Sequence, residues 1–192
     1  MNRRLLISVL FVCLLSFTVR AQQGTFRFAQ LTDIHLSPNN PNPTEDLLRS
    51  IAQINATDSL DFVLVTGDLT EEGDRATMEK VKSCLDLLKV KYYVALGNHE
   101  TKWSDSGCTA FGEIFGGERF DFEHKGFLFL GFNSGPLMRM AYGHVVPQDI
   151  RWMTERMSRY NTGNPRKNNP VILVTHYPMT EGDVDNWYEV TD

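Results

Sequence analysis

Short apolar runs set between amphipathic segments constrain this chain more than any other feature. Phe62-Val63-Leu64-Val65, Tyr92-Tyr93-Val94-Ala95-Leu96 and Val171-Ile172-Leu173-Val174 are compact and almost free of polar residues. That pattern suits strands buried on both faces, as in a parallel sheet. Phe26 to Leu31 reads as a further short strand. After Thr44, the residues Leu47, Leu48, Ile51 and Ile54 recur at helical spacing. Thr44 is the expected N-cap there, followed by Glu45 and Asp46. Ala76 to Lys89 predicts a second helix with Met78, Val81, Leu85 and Leu88 inward, and Gln148 to Tyr160 a third with Ile150, Trp152, Met153 and Met157. Strands alternating with helices give an α/β fold with a largely parallel core. Phe120 to His124 alternates, Lys125-Gly126 turns, and Phe127 to Leu130 follows. That is a hairpin signal, so part of the sheet is mixed or antiparallel. No linker divides the 192 residues, a length that makes one domain.

Side chains that bind metals recur just past the ends of these strands. Asp33-Ile34-His35 follows the first, Gly67-Asp68 the second, Gly97-Asn98-His99-Glu100 the third and Thr175-His176 the last. Open α/β sheets bind ligands in the crevice at the carboxyl ends of their strands. Alone, an Asp-x-His or a Gly-Asp is most often a turn and a lone histidine is most often structural, whereas Gly-Asn-His-Glu is the most specific of the four. The ordered set of four, each at a strand end, is not a chance pattern.

The chemistry gives the set a purpose. Carboxylate oxygen and imidazole nitrogen suit divalent Mn, Fe, Co, Ni or Zn. Asp33 and His35 stand two apart, so on an extended stretch they point the same way and can share one metal. Asp68 has two oxygens and can bridge to a second. Two metals about 3.5 to 4 Å apart clamp a phosphate and lower the pKa of a bound water, whose hydroxide attacks phosphorus in line. His99 would protonate the departing oxygen or stabilise charge on the phosphate.

These motifs, in this order, resemble the calcineurin-like metallophosphoesterase family, from Phe26 to the end of the chain. The resemblance implies a four-layer α-β-β-α sandwich around a site with two metals. It implies that Asp33 and His35 bind the first metal, that Asp68 bridges, that Asn98 and His176 bind the second, and that His99 is the catalytic histidine. Some members pair that histidine with an acid three residues after the bridging aspartate, the position of Glu71. The family closes its site with a later Gly-His-x-His, which does not follow His176 here. Gly143-His144 comes too early and lacks the second histidine, so His144 reads as a loop residue. The expectation is therefore a sandwich incomplete at the C-terminus, in a chain that is part of a longer protein. The purple acid phosphatase branch is disfavoured, because His35 and Glu71 stand where that branch has glycine and tyrosine.

The N-terminus reads differently. Met1-Asn2-Arg3-Arg4 is basic, Leu5 to Val19 is apolar, and Val19-Arg20-Ala21 fits a cleavage site. This is the pattern of a secretory signal peptide over residues 1–21, leaving residues 22–192 as the metallophosphoesterase domain, in the periplasm or outside the cell. The apolar run falls short of the roughly 20 residues of a membrane span. Without Arg3, Arg4 and Arg20, the 19 Lys and Arg become 16 against 24 Asp and Glu, a balance of −8. Such acidity disfavours long nucleic acid as a partner, and with it a nuclease, but not a small phosphorylated substrate. Cys84 and Cys108 are left, either as a disulfide or with Cys84 as a buried thiol.

Metal-dependent hydrolysis of a phosphomonoester or phosphodiester is the leading expectation. The alternative is an inactive truncated chain or a binding module with the same fold. His124 is expected to be structural. Trp103 and Tyr177 flank the site, and Arg75, Lys102 and Arg139 are cations that could meet phosphate. Ser37 to Thr44 and Thr101 to Gly117 are the candidate loops for substrate selection.

Overall fold

The computed structural model describes residues 24–136, 142–163 and 170–179. The expected signal peptide, Arg139 and the chain beyond Met179 lie outside those residues. Three strands, β1 (Phe28–Leu31), β2 (Phe62–Thr66) and β3 (Lys91–Ala95), form a parallel sheet in the order β1-β2-β3. The second sheet holds β4 (Phe120–His124), β5 (Phe127–Gly131) and β6 (Val171–Val174). There β4 runs antiparallel to β5, and β6 parallel to it. The expected hairpin forms with Lys125 (φ 46°) and Gly126 (φ 86°) both left-handed, the geometry that matches the natural twist of two strands.

Side-chain alternation builds the layers. On β2, Val63 and Val65 face one way, against helices α1 (Asn42–Ala56), α2 (Arg75–Leu85) and α3 (Thr109–Phe115). Phe62 and Leu64 face the other way and meet Phe129, Phe122 and Val174 of the second sheet. On β5, Leu128 and Leu130 turn outward onto Met153 and Tyr160 of α4 (Pro147–Gly163). Helices, sheet, sheet and helix thus make the expected four-layer sandwich. Its central layer is aromatic: the Phe122 and Phe129 rings stack with centroids 4.6 Å apart, and the Phe62 ring meets Phe129 edge-on at 5.2 Å.

Several boundaries move. Helix α1 begins at Asn42, before Thr44, with Pro43 in its first turn and no side-chain cap. Proline's fixed φ is pre-organised for the first turn of a helix, where its missing N–H costs nothing. Helix α2 is capped by Asp74, whose carboxylate accepts from the Thr77 amide at 2.9 Å. It stops at Leu85, short of the expected Lys89. The expected loop from Thr101 to Gly117 contains α3, closed by Gly116 in the left-handed region. Cys84 and Cys108 are both free. Burial, with Glu118 alongside, pushes the Cys108 thiol up to about 12.

At the amino ends of the strands, Asp61 joins the two sheets. Its carboxylate accepts from the Arg27 amide (2.9 Å), from Lys125 Nζ (2.7 Å) and faces His124 Nε2 at 3.0 Å. His124 is thus a structural residue of the sandwich, far along β2 from the chemistry.

Candidate metal centre

The opposite, carboxyl ends of β1, β2, β3 and β6 carry the polar motifs, and the backbone there is unusual. Asp33 (φ 52°), His35 (φ 48°) and Asp68 (φ 51°) are all left-handed. Asp33 and His35 therefore do not lie on an extended stretch, as their spacing suggested. Each left-handed residue of this kind costs of order 1 kcal/mol, and such strain gathers where function requires it. The turns still bring the side chains together, with His35 Nε2 3.8 Å from Asp33 Oδ1.

Two glycines let the turns touch. A Cβ on Gly67 would stand 2.7 Å from Gly97 Cα, and one on Gly97 would stand 2.1 Å from Asp68 Oδ1. Only bare backbone fits at this crossing. Glu100 then ties it. Its Oε1 accepts from the Leu69 and Thr70 amides at 2.9 and 3.1 Å, and its Oε2 from the Gly97 amide at 3.0 Å. Glu100 is wholly buried. Burial, with Asp68 nearby, raises its pKa above the usual carboxylate range, against the pull of those amides. Glu100 was part of a recognised motif, yet nothing in its polar surroundings in the sequence signalled burial.

Asp68 is the hub. Its Oδ2 lies 3.7 Å from His35 Nε2, 3.8 Å from His99 Nε2 and 3.4 Å from His176 Nε2, while its Oδ1 accepts from the His99 amide at 3.0 Å. Burial pushes the Asp68 carboxyl up, but the hydrogen bond and charge of His176, then His99, bring it below its ordinary value. His176 moves the other way. Burial lowers it, but Asp68 and the Thr66 carbonyl outweigh that and raise it.

Tautomers follow from the partners. His176 Nδ1 is 2.8 Å from the Thr66 carbonyl and His99 Nδ1 is 2.6 Å from the Glu71 carbonyl. A carbonyl only accepts, so each Nδ1 carries a hydrogen. Neutral His176 then points the Nε2 lone pair at Asn98 Oδ1, 3.1 Å away, and at Asp68 Oδ2. Three acceptors facing one another repel unless a proton or a cation lies among them. Donor atoms around one ion with bonds near 2.0 to 2.2 Å stand about 3 to 3.5 Å apart. The Asp33, His35 and Asp68 atoms, together within 4.8 Å, and the Asn98–His176 pair match that spacing to within a small closure. The residues present fit a divalent cation among Asp33, His35 and Asp68, and Asn98 and His176 offer further donor atoms beside Asp68.

All seven expected site residues meet here, but Glu71 does so in an unexpected way. Its main-chain oxygen faces His99, whereas its carboxylate stands 3.0 Å from His35 Nδ1. Trp103, half exposed on the π-helical turn His99–Trp103, lies 6.5 Å from the His99 ring. Tyr177 is buried, its amide donating to Ser134 Oγ, and is a packing residue. Arg75 pairs with Glu113 on the helical face, and Lys102 Nζ lies over the Trp103 ring. His144 is in a loop, its amide donating to the Ser134 carbonyl.

A sandwich of this kind with a carboxylate and imidazole cluster at its strand ends defines a class, and comparison with known proteins names it. The calcineurin-like phosphoesterase family profile matches residues 26–192. The chain belongs to that family. It is 25% identical over 157 residues to the 3',5'-cyclic-nucleotide phosphodiesterase alr5338 of Nostoc, an alignment covering 78% of this chain and 56% of that protein. It is also 25% identical over 118 residues to the uncharacterized protein YvnB of Bacillus subtilis, covering 53% of this chain and 9% of that one. The chain thus spans about half the length of the first relative and far less of the second. Among solved structures, a protein of unknown function from Aquifex aeolicus, AQ665, aligns over 79% of this chain and 90% of its own at 13% identity, with a TM-score of 0.35.

Proposed function

We propose that the chain carries the catalytic centre of an exported two-metal phosphoesterase that cleaves a small phosphodiester. One observation carries this reading: a single carboxylate oxygen, Asp68 Oδ2, faces three imidazole Nε2 atoms within 3.8 Å, two of them with tautomers fixed by main-chain carbonyls. Asp33 and His35 would hold one ion, Asn98 and His176 the other, and Asp68 both. Bound there, the ions supply Lewis acidity, placing positive charge opposite the phosphoryl oxygens and acidifying water.

The remaining work falls to the chain itself. His99 is held by its Nδ1–H to the Glu71 carbonyl, so its Nε2 is the atom free to carry a proton to a departing alkoxide. Trp103 stands beside it as a partly exposed wall. Family membership supports phosphoester hydrolysis in general, and the relative named as a cyclic-nucleotide phosphodiesterase supports a diester over a monoester. Export rests on the basic and apolar N-terminal segment. No helix among the described residues is long and apolar enough to cross a membrane.

The test is reconstitution of the purified full-length protein. Stripped with chelator, it should lose hydrolysis of bis(p-nitrophenyl) phosphate and regain it with Mn²⁺, with two equivalents bound. Bis(p-nitrophenyl) phosphate should be turned over faster than p-nitrophenyl phosphate. A protein that binds no Mn²⁺ and hydrolyses neither ester would overturn the proposal.

A further inference from the structure

The turns after β1 and β2 run side by side. The Asp33 amide donates to the Gly67 carbonyl (3.1 Å), His35 to Asp68 (3.0 Å), Leu36 to Leu69 (3.0 Å) and Glu71 back to Leu36 (2.8 Å). This ladder sets Glu71 against His35 through backbone alone. Glu71 then offers two different oxygens to two different histidines. Its carbonyl takes the Nδ1–H of His99 at 2.6 Å. Its carboxylate Oε2 lies 3.0 Å from His35 Nδ1, close enough for a charged pair but out of line for a hydrogen bond. That Nδ1 is buried and has no hydrogen-bond partner among the described residues.

An imidazole that binds metal through one nitrogen needs an acceptor for the N–H of the other. Such an acceptor fixes the tautomer, orients the ring and raises its basicity. We infer that Glu71 is the positioning residue of His35. Its carboxylate, 3.0 Å from Nδ1, favours the tautomer with the hydrogen on that nitrogen by charge and so presents the Nε2 lone pair to the Asp33 and Asp68 carboxylates, where the first ion would sit. His99 needs nothing from the Glu71 side chain, because its acceptor is main-chain and survives any substitution there. The inference rests on the two-metal reading above. It departs from the pairing of His99 with an acid that the resemblance implied.

The two assignments separate experimentally. Metal-free full-length protein, Glu71→Ala and Glu71→Gln are titrated with Mn²⁺ by calorimetry. The same proteins are then assayed at saturating Mn²⁺ with aryl diesters of good and poor leaving groups. With Glu71 serving His35, Glu71→Ala weakens one of two Mn²⁺ sites by about 10- to 100-fold and spares the other. Glu71→Gln recovers part of the loss, because its amide oxygen still turns a negative dipole toward Nδ1. At saturating Mn²⁺ the leaving-group dependence of kcat stays that of the wild type. Unchanged Mn²⁺ affinity, with kcat falling most for the poor leaving group, would assign the carboxylate to His99 and overturn the inference. Loss of both sites alike in both variants would also overturn it. The Glu71 side chain is half exposed, so its removal leaves the core packing untouched. Wild-type protein that takes up no Mn²⁺ would instead bring down the two-metal reading itself.

Discussion

His99 is the residue on which chemistry and binding part most cleanly. Its side chain touches Asp68 only at 3.8 Å, and its Nδ1 is committed to the Glu71 carbonyl. The groups assigned to the metals lie on other residues. His99→Asn should therefore lower kcat by about 10²- to 10⁴-fold, the usual worth of a positioned general acid. Bound Mn²⁺, counted by atomic emission, should stay at the wild-type number. A parallel fall in metal content would make His99 a ligand. The sequence showed that such a histidine exists, because Gly-Asn-His-Glu follows a buried strand. It could not show which oxygen of Glu71 faces which histidine. That depends on the register of two non-regular turns, which is set by tertiary contacts.

At the level of elements, the turns ending β2 and β3 cross with no room for a side chain. A Cβ at Gly97 would stand 2.1 Å from Asp68 Oδ1 and 2.2 Å from the Asp68 nitrogen, and backbone cannot yield as a flexible side chain does. Gly97→Ala should cost about 1 to 3 kcal/mol by thermal or urea unfolding. It should also lower Mn²⁺ affinity, because Asp68 must move. An unchanged midpoint and affinity would show that the crossing is looser than described. Buried strands were the easiest elements to read, since the run Phe62 to Val65 has no polar interruption. The hairpin was as plain, with Lys125-Gly126 between two aromatic runs. Helix α3 escaped because seven residues give barely two turns, and Gly112 interrupts them. The start of α1 was misplaced because a capping hydroxyl at Thr44 looked stronger than the proline just before it. The early end of α2 at Leu85 leaves Leu88 in the core without a helix around it. Periodicity alone cannot distinguish those two cases.

For the whole molecule, the join at Asp61 matters most. The Lys125 ammonium, then the Arg27 amide, lower the Asp61 carboxyl from 3.8 to about 2, with His124 adding to this and burial opposing it. A carboxyl depressed in the folded state stabilises the fold above its unfolded pKa, and the effect is lost as pH falls toward its folded pKa. Asp61→Asn should thus be less stable by about 1 to 2 kcal/mol at neutral pH, a figure already reduced for the exposure of Lys125. The gap should hold down to about pH 4 and narrow below it. Urea melts of both proteins from pH 7 to pH 3 measure this. A gap that stays constant to pH 3 would mean that packing, not charge, joins the sheets at this point.

The candidate ligands are divided unevenly between the two halves of the sandwich. Asp33, His35, Asp68 and Asn98 follow strands of the first sheet, while His176 follows β6 of the second. Asp61 already fastens the far end. An ion shared by Asn98 and His176 would then be a rivet at the near end, closing the two sheets into a ring. Loading the centre would accordingly change the mechanics of the molecule as well as its chemistry. Without the ion, the near end would rest on the aromatic layer and on the hydrogen bond from His176 Nδ1 to the Thr66 carbonyl. The loaded protein would resist proteolysis and melt as one body, with the strands of both sheets protected together from hydrogen exchange.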